Sequence, residues 1–197
     1  KIADVPGRPS GLNFLPDGRL IVVSMADRKL FEISKAGSLS EYADLSDIID
    51  SDINDSVVDK AGNIYVGSFG YDLFANEEPK LASMAIVEKN GSVGIAADGL
   101  NFPNGAVISP SGDTLICAET FGHCLTAFNM NSTGQLTNRR VWADLGEHTP
   151  DGICLDAEGA IWVASFVTGV FLRVQEGDKI TEEISVGGKR AVACNLG

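Results

Sequence analysis

Basic residues are scarce in this sequence of 197 residues: 15 Lys and Arg stand against 27 Asp and Glu, a net charge of −12. A phosphate backbone or an acidic membrane surface is bound through Lys and Arg, so this balance argues against both as partners. Long apolar runs are missing as well. No stretch reaches the 18 or so apolar residues of a membrane-spanning helix, and Lys1-Ile2-Ala3-Asp4-Val5-Pro6 is not the apolar core of a secretion signal. A soluble, cytoplasmic protein is expected. Only two histidines occur, His123 and His148, too few for a multi-histidine zinc site. No G-x-S-x-G phrase is present, which removes the usual serine-hydrolase elbow. The four cysteines, Cys117, Cys124, Cys154 and Cys194, form no C-x-x-C pair. Four thiols allow three pairings, and in a chain this large they read as reduced core residues. Amphipathic helices are absent too: residues 44–53 have room for one short turn, and residues 71–80 read as an insertion loop.

Apolar residues (44%) and glycine (22 residues) are plentiful, and the glycines recur in a phrase. Its copies begin Pro9-Ser10-Gly11, Ile53-Asn54-Asp55, Pro103-Asn104-Gly105 and Pro150-Asp151-Gly152. Each runs through a short apolar stretch into a glycine turn and then into a β run such as Ile161-Trp162-Val163-Ala164. Glycine supplies the turn because it reaches positive φ without steric cost. A run apolar on both faces suits a strand covered on both sides. Further strands are expected at 30–33, 85–88, 125–128 and 170–174, with outer strands at 39–43 and 140–143. Aligning Ser10, Asn54, Asn104 and Asp151 gives spacings of 44, 50 and 47 residues. That is the period of a four-stranded propeller blade, about 40–50 residues. A β-sandwich shares the short strands and glycine turns, but not a phrase repeated at this period. The expected fold is therefore an all-β propeller in one domain, residues 1–197. At ~45 residues per blade the chain holds about four and a half blades and is expected to be incomplete at both ends.

Equivalent positions of successive blades sit at one height around a propeller axis. Ser10, Asn54, Asn104 and Asp151 are thus expected to ring one mouth of the channel, their oxygens suited to a hard divalent cation. Taken singly, Asn and Asp before glycine are ordinary turn formers.

The phrases Ile53-Asn54-Asp55, Phe102-Pro103-Asn104-Gly105 with Ala118-Glu119-Thr120, and Pro150-Asp151-Gly152-Ile153-Cys154-Leu155-Asp156, in this order, resemble the senescence marker protein (regucalcin)/gluconolactonase/luciferin-regenerating enzyme-like family of six-bladed β-propellers with four-stranded antiparallel blades. The resemblance implies one divalent metal in the channel, Ca²⁺ first, with Zn²⁺, Mn²⁺ or Mg²⁺ as alternatives. Asn104 and Asp151 fall on its ligand positions, and Asn54 and Asp72 on substrate-binding ones. A third ligand, a glutamate of the first blade, has no counterpart here. Asp52 stands where some members carry a substrate-binding arginine. The implied activity is hydrolysis of a sugar lactone or similar cyclic ester, with the metal polarising the carbonyl and Asp151 as general base. The alternatives are a non-catalytic propeller that binds Ca²⁺ or a small ligand, and an inactive fragment of the enzyme. His148 reads as a loop residue and Glu119 as structural.

Overall fold

The computed structural model describes residues 1–196, with sixteen strands and no helix among them. Four four-stranded antiparallel sheets follow one another along the chain, each the size of a propeller blade. The first holds β1 (Pro9–Phe14), β2 (Leu20–Ser24), β3 (Lys29–Ile33) and β4 (Leu39–Asp44); the second holds β5 (Ile53–Val58), β6 (Ile64–Ser68), β7 (Ala82–Val87) and β8 (Val93–Leu100). The third is β9 (Pro103–Ile108), β10 (Thr114–Glu119), β11 (Cys124–Met130) and β12 (Leu136–Asp144). The fourth is β13 (Pro150–Leu155), β14 (Ile161–Ser165), β15 (Val170–Gln175) and β16 (Lys179–Ser185). Strands neighbour one another in sequence order, the meander of an all-β propeller. Residues 186–196 form no strand, but the Gly152 N–H of β13 donates to the Val192 carbonyl at 3.0 Å. The insertion loop lies where it was expected, between β6 and β7, and a single turn fills the stretch after β4, where Ile49 N–H donates to Leu45 O at 2.9 Å.

The chain forms two compact units, Lys1–Pro103 and Asn104–Gly197. In the first, Ile21, Val23 and Leu30 pack with Ile53, Ile64 and Val66 in one buried cluster. In the second, Ile116, Leu125 and Trp142 pack with Ile161, Val163 and Leu172. Middle strands such as β6 are buried along their whole length, whereas every residue of β16 is exposed. That gradient explains the composition: continuous apolar runs in the middle strands and Lys, Thr and Glu in the outermost.

The turns joining first to second strands are built alike. In the second sheet Asp59 Oδ1 accepts from the N–H groups of Ala61 (2.8 Å) and Asn63 (2.9 Å) while Gly62 takes φ 93°. In the fourth, Asp156 Oδ1 accepts from Glu158 (3.0 Å) and Ala160 (2.9 Å) around Gly159 at φ 82°. Asp156 also receives two 2.7 Å contacts from the Arg173 guanidinium on β15. Burial works to raise the Asp156 pKa, but the Ala160 N–H and Arg173 outweigh it and hold the carboxyl below its ordinary range. A depressed folded-state pKa gives stability above the unfolded value near ~4 and loses it as pH falls through the folded value. Arg173→Met is therefore expected to lower the melting temperature at pH 7 and to shrink the loss between pH 5 and about 2. Melting curves across that range check it; an unchanged acid profile counts against the pair.

Candidate functional site

Ser10, Asn54, Asn104 and Asp151 each occupy the second position of the first strand of a sheet. The backbone there is not regular. Between Pro9 and Leu12 the β1 chain advances three residues while its partner advances two, from Ser24 to Val22. The same shift falls between Ile53 and Ser56 on β5 and between Pro150 and Ile153 on β13. A bulge of this kind frees a residue from the ladder and re-aims its side chain.

The residue after each candidate sits at a close approach between strands. A Cβ on Gly105 would stand 2.6 Å from the Asp151 carbonyl oxygen and 2.7 Å from the Ile153 nitrogen. One on Gly152 would stand 2.8 Å from the Val192 carbonyl oxygen. Gly11 likewise lies against Asp55 and Ser56, where the Asn13 side-chain amide also donates to Ser56 O and Oγ, both at 2.8 Å. Glycine is required because backbone meets backbone.

Within the second unit, Asn104 and Asp151 thus come from strands whose starts touch. Asn104 is 7% exposed, and its Nδ2 donates to Thr120 Oγ1 at 3.1 Å. Thr120 donates in turn to the Pro150 carbonyl at 2.8 Å, tying the residue before Asp151 into the same chain of bonds. With the amide nitrogen committed to the fold, Oδ1 is the end of Asn104 able to meet a ligand. An amide oxygen and a carboxylate are hard donors that fit Ca²⁺, Mg²⁺ or Mn²⁺. A cation held by such a pair would need further oxygen ligands. Among the described residues no group of three or more His, Cys, Asp or Glu is placed to hold a metal.

In the first unit Asn54 is 6% exposed and its Nδ2 donates to the Pro103 carbonyl at 3.3 Å, a bond that does not use Oδ1. Beside it is a carboxyl that the sequence reading passed over. Asp55 occupies the position held by glycine at 11, 105 and 152, and its Oδ1 accepts from the Ser56 N–H at 2.8 Å. Burial raises its pKa against that hydrogen bond. A raised folded-state value means that the ionised form opposes folding above it. Asp55→Asn is expected to raise the melting temperature at pH 7, with the gain vanishing below about pH 4. Equal melting temperatures of variant and wild type at pH 7 would contradict this account.

Asp72 lies in the insertion loop, exposed, with Oδ1 accepting from Phe74 N–H (3.0 Å) and Ala75 N–H (2.9 Å). It lines a cleft of about 330 Å³ together with Asp52. The Asp52 carboxylate is paired with Arg8, whose guanidinium lies 4.0 Å from the centre of the Phe74 ring. Burial raises the Asp52 pKa, and Arg8 works against the shift. Glu119 is 3% exposed and turned into its own sheet, accepting from Thr126 Oγ1 at 2.5 Å and from Arg139 at 2.9 Å. His148 Nδ1 meets Thr168 Oγ1 at 3.0 Å, and its carbonyl meets His123 Nδ1 at 2.9 Å. These contacts give both histidines roles in loop structure. All four cysteines are free thiols. Burial pushes the Cys194 thiol up to about 12, and Cys154, whose Sγ is 3.6 Å away, adds to the rise.

Successive four-stranded meanders, with the candidate residues at the starts of their first strands, define a β-propeller protein. The chain belongs to the SMP-30/Gluconolactonase/LRE-like family, whose model matches residues 1–197. It is 28% identical over 167 residues to regucalcin of Danio rerio, covering 81% of this chain and 55% of that protein. Regucalcin of Gallus gallus is 28% identical over 149 residues, covering 73% and 50% respectively. The chain thus spans about half the length of the curated relatives it matches. A solved structure described as a calcium-binding protein, regucalcin, from Agrobacterium tumefaciens is similar with a TM-score of 0.81 and 28% identity, over 96% of this chain and 64% of that one. A gluconolactonase from Xanthomonas campestris shares the fold with a TM-score of 0.80 at 23% identity, over 99% and 67%. No helix among the described residues is long and apolar enough to cross a membrane.

Proposed function

We propose that the protein is a cytoplasmic, metal-dependent hydrolase of a sugar lactone or a similar cyclic ester. The observation that carries this reading is the close approach of the β9 and β13 starts, the strands on which Asn104 and Asp151 stand, with the donor end of Asn104 used by the fold. Family membership and the gluconolactonase neighbour support it. Asn104 Oδ1 and the Asp151 carboxylate would hold the ion. When bound, a divalent cation polarises the lactone carbonyl and stabilises charge that develops on its oxygen. Asp151 takes the proton of the attacking water as its oxygen adds to the carbonyl carbon. Asp151 then returns that proton to the ring oxygen as the ring C–O bond breaks, and a hydroxy acid is released. Asn54 and Asp72 hold the substrate hydroxyls.

Hydrolysis of a panel of sugar lactones, first with EDTA and then with Ca²⁺, Mn²⁺, Zn²⁺ or Mg²⁺ restored, tests this. Turnover lost with EDTA and regained with an added ion, Ca²⁺ foremost, is the expected result. Turnover indifferent to EDTA would overturn the metal's role. Calcium binding by calorimetry with no hydrolysis would favour a non-catalytic binding propeller, the reading supported by the calcium-binding relative.

A further inference from the structure

Two of the four thiols meet. Cys154 stands on β13, and Cys194 lies in residues 186–196, which form no strand. The Cys154 thiol donates to Cys194 Sγ at 3.6 Å, although the two residues are 40 positions apart. Backbone contacts fix that approach. Gly152 N–H donates to the Val192 carbonyl at 3.0 Å, and a Cβ on Gly152 would stand 2.9 Å from Ala193 Cα. Cys194 Sγ lies 3.3 Å from the Trp162 carbonyl and 3.6 Å from the Gly152 carbonyl, both acceptors for its S–H. The other thiols turn elsewhere: Cys117 Sγ meets the Ala118 carbonyl at 3.3 Å, and Cys124 Sγ meets Thr126 Oγ1 at 3.7 Å. Cys154 is 8% exposed, whereas Cys194 is half-buried between exposed Ala193 and Asn195. One residue of the pair is open to solvent and the other is covered.

We propose that Cys154 and Cys194 are a redox-modifiable pair whose disulfide clips residues 186–196 to β13. The oxidant is a small-molecule disulfide. The Cys194 thiolate attacks one of its sulfurs and one small thiol leaves, which gives a mixed disulfide on Cys194. The Cys154 thiolate, already in contact, then attacks the Cys194 sulfur and expels the second small thiol. Two protein thiols are oxidised, their protons pass to the two leaving thiolates, and one small disulfide is reduced. Contact between the sulfurs makes the second step intramolecular, which favours it over a second encounter. Burial holds both thiols above their ordinary range, so little thiolate exists at neutral pH. The pair therefore reacts slowly, and its state follows the surrounding thiol–disulfide balance. The bond closes a loop that contains β14, β15 and β16, and it fastens the segment that packs on the strand carrying Asp151. No part of the hydrolase reading is needed for it.

Incubation of the folded protein with oxidised glutathione for several hours, followed by intact-mass analysis and peptide mapping, tests the pair. The four free thiols should fall to two, with a mass lower by two hydrogens and a crosslink between Cys154 and Cys194. Reduced dithiothreitol should restore all four. The oxidised protein should melt about 5–10 °C above the reduced one, the scale for closing a loop of this length. Cys154→Ala should stop at a mixed disulfide on Cys194, and Cys194→Ser should show neither the crosslink nor the rise in melting temperature. Four unmodified thiols in the folded wild type, glutathione retained on Cys194 without a crosslink, or a crosslink to Cys117 or Cys124 would each overturn the pair. A Cys154–Cys194 crosslink that leaves the melting temperature unchanged or lower would overturn the clip.

Discussion

Asp151→Asn should abolish metal-restored lactone hydrolysis while leaving the fold intact. The replacement keeps the shape of the side chain at the β13 bulge and removes both its charge and its basicity. In the proposed mechanism Asp151 has two tasks, as the one charged ligand of the pair with Asn104 and as the acceptor of the water proton. Lewis-acid stabilisation by a bound cation is worth several kcal/mol, so its loss alone lowers kcat/KM by about 10²–10³-fold or more. Calorimetric titration with Ca²⁺ should show weakened binding in the same variant, which separates loss of the ion from loss of the base. Turnover within a factor of two of wild type, in the presence of saturating metal, would remove Asp151 from the mechanism.

Gly105→Ala should be strongly damaging to the second unit. The new Cβ would meet the Asp151 carbonyl oxygen at 2.6 Å, the Ile153 nitrogen at 2.7 Å and Gly152 Cα at 2.9 Å, all backbone atoms. No rotamer change relieves such a clash; the start of β9 must separate from β13. Overpacking of this kind costs about 1–3 kcal/mol, occasionally more, or ~2–4 °C of melting temperature per kcal/mol in a domain of 150–250 residues. Activity should fall as well, since the displaced strand carries Asp151. Gly94→Ala is the control. Gly94 lies in β8 with Ile86 Cγ2, at 3.9 Å, as its nearest neighbour, and a Cβ there makes ordinary contact. Its melting temperature should match or exceed that of wild type. Equal melting temperatures for the two variants would mean that the β9–β13 contact is looser than described.

Much of the architecture is legible in the sequence because the blade repeats. The phrases around Gly11, Asp55, Gly105 and Gly152 mark all four first strands, and the apolar runs after their turns mark the second. The expected strands at 30–33, 85–88, 125–128 and 170–174 correspond to β3, β7, β11 and β15, and those at 39–43 and 140–143 to β4 and β12. What went unread follows a physical pattern. β16 is exposed at every residue, so no buried face imposes an alternation on it, and β8 carries Gly94 and Gly99. In place of the half blade expected after β16, residues 186–196 form no strand. The bulges at Asn54 and Asp151 are properties of two paired strands, which no single segment records. Asp55 was visible as a carboxylate where the other copies have glycine, but its burial comes from β1 folding against it.

The bulges also bear on how such a chain changes over generations. At the second residue of a first strand, the backbone course is fixed by register and by the close contact of the following residue. Asn54 and Asn104 each commit one donor bond to the fold and keep an amide oxygen besides. Serine, asparagine and aspartate already occupy this position in different copies of one repeat. Single-codon changes there can trade one donor atom for another at little folding cost, and so diversify the ligand while the scaffold persists.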